Sequence, residues 1–195
     1  MCVVWLALDH VAWAQVPNET YDFSIAKGII EFGRGHYEQA AGLFEQAREA
    51  MPNDPEATEY LGQTLLRLKK YHEAEALFHD LTISQPTRAQ SWLGLAISQS
   101  QLGKYHEALA SLEEAQKLDP QNPLVYFYQG VVSRELKAFN QSPALFSRAM
   151  ALSPDLTPAV RYYTGMSYYE RGLLDQAQKE FEAAIASGEP ESELA

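Results

Sequence analysis

The stretch KYHEALASLEEAQKLDP, residues 104–120, restates KYHEAEALFHDLTISQP, residues 70–86, in register. Tyr-His-Glu-Ala recurs at Tyr71 and Tyr105, and each copy closes on a proline, Pro86 and Pro120. The spacing continues outward from this pair. Ala40, Ala74, Ala108, Ser142 and Ala177 stand 34, 34, 34 and 35 residues apart. Gly28, Gly62, Ala96, Gly130 and Gly165 keep that spacing, and so do Phe44, Phe78, Leu112, Phe146 and Phe181. Pro52, Pro86, Pro120 and Pro154 close four units, and Pro190 closes the fifth late. The extra residue falls in SPDLTP, residues 153–158, a loop where an insertion is tolerated. A fixed period of this kind marks a repeat array and takes precedence over any other reading of the fold.

Inside each unit the apolar spacing is helical. In the third, Trp92, Leu95 and Ala96 share one helix face, and Tyr105, Ala108, Leu112 and Ala115 share another. Gly103 interrupts the pattern between them, and Asp119-Pro120 ends it. Each unit is therefore predicted to be two antiparallel helices joined by a tight turn. One hairpin cannot bury both of its apolar faces, so neighbours must stack and share a continuous core. The small residue near the middle of each first helix lets the two helices approach. Glycine there costs about 0.5–1 kcal/mol against alanine, which close packing must offset. The predicted units are 21–54, 55–88, 89–122, 123–157 and 158–191, and residues 192–195 read as the start of a missing or truncated further helix.

These positions carry a family resemblance. Trp92-x-x-Leu95-Ala96 followed by Tyr105, Ala108, Leu112, Ala115 and Pro120 resembles the tetratricopeptide repeat, as do Leu61-Gly62-x-x-Leu65, Tyr71, Ala74, Phe78 and Pro86. The resemblance covers residues 21 to about 191 in five copies. It implies an all-α, right-handed superhelical solenoid of five hairpins. Two departures stand out. Lys27 and Glu31 replace apolar residues in the first unit, which predicts an irregular first helix. Ser142-Pro143 opens the second helix of unit four, so that helix should start late, with Ser142 as its N-cap.

The chain of 195 residues carries 26 Asp and Glu against 15 Lys and Arg, a net charge of −11. Such a surface repels phosphate backbones and anionic headgroups, which argues against nucleic acid as a partner. The single cysteine, Cys2, leaves no intrachain disulfide and no cysteine-built metal site. No nucleophile elbow, phosphate loop or dinucleotide fingerprint is present, and no cofactor is expected. His72 and His106 share a repeat position beside Glu73 and Glu107, but equivalent positions in adjacent repeats lie a hairpin apart. His72 and His79 are seven residues apart, about 10 Å along a helix, too far to share an ion. These histidines read as solvated, no metal site is expected, and the chain is not read as an enzyme.

Residues 1–20, MCVVWLALDHVAWAQVPNET, differ from the rest. The apolar run from Cys2 to Leu8, with Ala12-Trp13-Ala14 before Gln15, reads as the end of a secretory signal peptide. Asp9-His10 interrupts the run and no Lys or Arg precedes it, as if a basic leading segment were clipped. The competing reading is a short capping helix. The run is too short to span a bilayer.

In the resembled family the first helix of each unit lines a concave surface that binds peptides or partner segments. Carried over by position, that surface holds Ile25, Ile29, Phe32, Leu66, Leu93, Ile97, Phe127, Val131, Arg134, Tyr162, Met166 and Tyr169, with Glu59 and Gln63 in unit two. The chaperone carboxylate clamp of the family is missing: its leading pair reads Ile25/Ile29, Glu59/Gln63, Leu93/Ile97, Phe127/Val131 and Tyr162/Met166. The expected function is a protein-interaction scaffold that takes a peptide or helix in an apolar groove. It would work in the bacterial envelope or periplasm if the leader is a signal, and in the cytoplasm otherwise. The alternative is a spacer, or the N-terminal recruitment arm of a larger envelope assembly. Phe181, Ala184 and Ile185 would normally receive a next helix, so the C-terminal hairpin is expected to be a fragment's edge, to meet a partner or to self-associate.

Overall fold

The structure, a computed structural model, describes residues 19–188. The proposed leader up to residue 18 and the closing segment 189–195 lie outside the described residues, and so do the expectations that fall on them. Among the described residues ten α-helices form five consecutive hairpins: α1 (Glu19–Gly33) with α2 (Tyr37–Ala50), α3 (Pro55–Arg67) with α4 (Tyr71–Ser84), α5 (Ala89–Gln101) with α6 (Tyr105–Leu118), α7 (Pro123–Glu135) with α8 (Ser142–Leu152), and α9 (Thr157–Glu170) with α10 (Leu174–Ala186). Each helix packs against the next in chain order, the all-α solenoid expected from the period. The helix α1 begins at Glu19, inside the span read as leader.

The repeated residues build the stack. Ala40, Ala74 and Ala108 are wholly buried, as are Phe44, Phe78 and Leu112. The Phe78 ring lies against Gly62 of its own hairpin and Gly94 of the next, where a Cβ would collide with it. Asp54 and Asn122 cap α3 and α7, accepting from the N–H of Glu56 at 2.9 Å and of Leu124 at 3.0 Å, with Pro55 and Pro123 in the first turn. The extra residue after Pro154 is absorbed by a 3₁₀ turn, Pro154–Leu156, whose Leu156 is buried.

The first departure resolves differently from expectation, and the second only in its cap. The helix α1 runs unbroken past Lys27 and Glu31. Lys27 faces solvent with Nζ 5.6 Å from the Phe23 ring, because no earlier hairpin covers that side among the described residues. Glu31 is buried and serves the turn: Arg34 donates to it at 3.0 Å and His36 Nδ1 at 2.7 Å. The His36 hydrogen bond, helped by the Arg34 charge, holds the Glu31 carboxyl below its ordinary value. The helix α8 does start late, three residues after the position where α2, α4, α6 and α10 begin. Its N-cap, however, is Gln141. Ser142 lies within the helix, buried, and its hydroxyl donates across the hairpin to the Gly130 carbonyl at 3.0 Å.

At the C-terminal end the expected exposure is present. Phe181 is only half-buried, although Phe44, Phe78 and Phe146 at the same repeat position are buried. Ile185 is 74% exposed, while Met150, Gln116, Thr82 and Arg48 at its register are covered or half-covered.

Candidate partner-binding groove

A cleft of about 210 Å³ crosses four first helices on one side of the stack. Phe32 of α1 stands at one end. Gln63, Leu66 and Arg67 come from α3, with Tyr71 at the start of α4. Gln90, Leu93, Ile97 and Gln101 come from α5, and Leu124 and Tyr128 from α7. Helical spacing explains the convergence: residues 90, 93, 97 and 101 of α5 recur every three or four positions on one face. Among the lining residues Arg67 is the single formal charge, in a molecule whose net charge is −11. Its guanidinium lies 5.9 Å from the Phe32 ring centroid. Burial pushes the Tyr128 hydroxyl up to about 12, and the Arg67 charge works against that rise.

Of the twelve residues carried over by position, the cleft gathers Phe32, Leu66, Leu93 and Ile97. Ile29, Tyr162 and Tyr169 are exposed elsewhere, and Met166 is half-buried. Ile25, Phe127 and Val131 are corrected: they are core. Phe127 packs edge-on against Tyr128 at 5.2 Å and Tyr163 at 5.5 Å, with Phe146 at 6.0 Å. Phe127 is taken up by contacts between hairpins and does not line the cleft, whereas Leu93 at the same register, also buried, does. The same register in unit two shows why. Glu59 is buried and accepts from Arg88 at 2.8 and 2.5 Å and from Ser91 at 2.7 Å, both in the next unit. Only Tyr162, in the last described hairpin, escapes such cover. Arg134 is also corrected. It is buried, pairs with Glu135 and with Glu170 at 2.6 Å, and lies 5.4 Å from the Tyr163 ring, so it ties α7 to α9.

Position alone missed Arg67, Gln101 and Tyr128. The signal for Tyr128 is a paired departure. Tyr60 stacks on Phe44 at 5.1 Å and Tyr163 on Phe146 at 6.4 Å, but the matching partner of Tyr128 is Leu112, which offers no ring. His72 and His106 lie exposed near the starts of α4 and α6, and no group of three His, Cys, Asp or Glu residues converges to hold a metal among the described residues. No helix among them is long and apolar enough to cross a membrane.

Comparison with known proteins agrees with the fold. The family model described as anaphase-promoting complex, cyclosome, subunit 3 matches residues 33–115. Two models described as tetratricopeptide repeat match residues 93–157 and 159–192. No curated protein matches the chain in sequence. Among solved structures, the tetratricopeptide-repeat protein TTC0263 of Thermus thermophilus is 24% identical, with a TM-score of 0.77 over 88% of this chain and 93% of that one. MamA of Desulfovibrio magneticus RS-1 is 17% identical, with a TM-score of 0.69 over 89% of this chain and 98% of that one. PilF of Pseudomonas aeruginosa is 22% identical, with a TM-score of 0.71 over 88% of this chain and 78% of that one. At these identities the likeness is one of fold.

Proposed function

Because the chain belongs to the tetratricopeptide-repeat proteins, we propose that it is an interaction scaffold that takes a segment of a partner protein in the cleft across α1, α3, α5 and α7. The cleft itself carries this reading. It is mainly apolar, it draws on four successive repeats, and its volume of about 210 Å³ falls below the roughly 300–1,000 Å³ of small-molecule pockets. A space of that size suits one or two side chains of a passing segment. A photo-crosslinking residue at Gln101, exposed on the cleft rim, is expected to capture a protein from the source-cell extract, and the same residue at Glu73, exposed on α4, is not. Equal capture from both positions would place the interaction elsewhere.

The proposed location is the bacterial envelope. The apolar run ending in Ala12-Trp13-Ala14 supports it, and intact-mass measurement of the chain expressed with its own leader tests it. A mature chain beginning at Gln15 is expected; an uncut leader speaks for the cytoplasm. The same proposal assigns the exposed apolar face of α10 to self-association.

A further inference from the structure

We infer that the partner segment carries a basic side chain, Lys or Arg, about two to five residues from a large apolar one. The apolar residue seats against Leu66, Leu93 and Ile97, and the cation enters an adjoining acidic cleft, against Glu56 and Asp54. This rests on the reading of the apolar cleft as the docking site for a partner segment, and it adds the chemistry of the occupant.

One face of α3 leads from acid to apolar. Glu56, Glu59, Tyr60 and Gln63 lie along one stripe of the helix, and Leu66 and Arg67 continue it, each three or four positions from the next turn. The first four line a cleft of about 320 Å³ together with Asp54 and Arg88. Gln63, Leu66 and Arg67 line the apolar cleft. Gln63 belongs to both, so the two clefts adjoin and a segment lying in one runs into the other. Arg67 stands at the end of the stripe away from Glu56.

Charge decides what enters the acidic cleft. It is lined by three carboxylates and one guanidinium. Arg88 donates to Glu59 at 2.8 and 2.5 Å, and Ser91 adds a third hydrogen bond at 2.7 Å, so that pair is matched within the array. Asp54 accepts only from neutral groups, the Tyr21 hydroxyl at 2.5 Å and the Glu56 N–H at 2.9 Å. The Glu56 side chain is exposed, and no ion pair joins it or Asp54 to a cation among the described residues. Two negative charges are thus left unbalanced beside an apolar wall, where an ion pair is screened less than on open surface. A cation offsets them and an amide does not. The net charge of −11 draws basic segments toward the molecule in the same sense.

The helix also sets the spacing. Glu56 and Leu66 stand ten positions apart on α3, about 15 Å at a rise of 1.5 Å per residue. An extended segment covers that distance in about four to five residues, and the long stem of Lys or Arg shortens the need to about two. A segment whose cation falls outside that window fills one cleft or the other, not both.

The test uses the full chain and a library of random twelve-residue peptides with both ends blocked, so that no terminal amine competes with the side chain. Enriched peptides are expected to carry Lys or Arg about two to five residues from Leu, Ile, Phe or Trp. For such a peptide, labelled and titrated by fluorescence anisotropy, Glu56→Gln should weaken binding about threefold, and Glu56→Lys about tenfold or more. Both changes fall at an exposed position and leave the core alone. Added salt should weaken binding to the parent. Exchanging the basic residue of the peptide for Glu should weaken binding to the parent and strengthen binding to Glu56→Lys.

Peptides that lose binding on Ile97→Glu, yet lack a basic residue in that window or ignore Glu56→Lys, would overturn this inference and leave the groove reading standing. Peptides indifferent to Ile97→Glu as well, or no enrichment at all, would overturn both. Circular dichroism of each variant separates lost binding from lost fold.

Discussion

A Cβ placed on Gly62 would stand 2.7 Å from the Phe78 ring, closer than side chains pack. The ring cannot retreat, since Gly94 of the next hairpin backs it and Phe78 is wholly buried. Gly62→Ala should therefore destabilise the protein, overpacking of about 1–3 kcal/mol outweighing a helix-propensity gain of up to about 1 kcal/mol. Gly42, inside α2, has nothing within 4 Å of its missing Cβ. Gly42→Ala should stabilise by about 0.5–1 kcal/mol through propensity alone. Denaturant unfolding of the two variants decides the matter. A shift of the same sign in both would mean that helix propensity, not the approach of Phe78, governs glycine in the first helices. The chemistry of the change is identical, so only the surroundings can reverse its sign.

At the scale of the element, the turns between paired helices repeat one conformation with two kinds of residue. Gly35, Gly103 and Gly172 take φ near +75°, and Lys69 and Lys137 at the same register take 58° and 62°. The left-handed region costs an L residue roughly 1–2 kcal/mol, which glycine avoids. Lys69→Gly should raise stability by about 1 kcal/mol, and Gly103→Lys should lower it by about as much, measured as shifts in the denaturant midpoint at unchanged slope. No effect in either direction would mean that the turn relaxes when its residue changes. These turns were legible from residue order alone because they interrupt a strict period, and so were the hairpins and their stacking. The late start of α8 was legible too, from Pro143. The groove was only partly so. Position within a first helix tells which way a side chain leaves its own helix; it does not tell what the neighbouring hairpin places over it. Ile25, Phe127 and Val131 are covered, and Arg134 is drawn into pairs with Glu135 and Glu170. Tyr128 lines the cleft, and its matching partner in the preceding repeat is Leu112 in place of a phenylalanine, a pairing between two repeats that the register of one repeat cannot express.

At the scale of the whole molecule, a stacked array must resolve its two ends. At the described N-terminal end Phe23 and Ile30 are exposed, while their counterparts in later hairpins, among them Ala57, Val125, Thr64 and Val132, are buried against a preceding unit. At the other end Leu174, Phe181 and Ile185 fall seven and four residues apart, on one stripe of α10. Leu174 is 60% exposed, Phe181 half-covered and Ile185 largely bare. A contiguous apolar stripe in contact with water favours association, and a second copy presents the same stripe, so a two-fold pairing of α10 against α10 satisfies both. Multi-angle light scattering across a concentration series should show a dimer that dissociates on dilution. Ile185→Glu should leave a monomer with unchanged helix content, because the side chain it replaces is largely exposed among the described residues. A monomer at every concentration would rule out the pairing, and so would a dimer untouched by Ile185→Glu. The groove prediction is independent of this outcome. The cleft lies across α1, α3, α5 and α7, so the monomeric variant should bind its peptide as the parent does. Loss of binding in Ile185→Glu would instead show that the two ends of the array and its concave face are coupled.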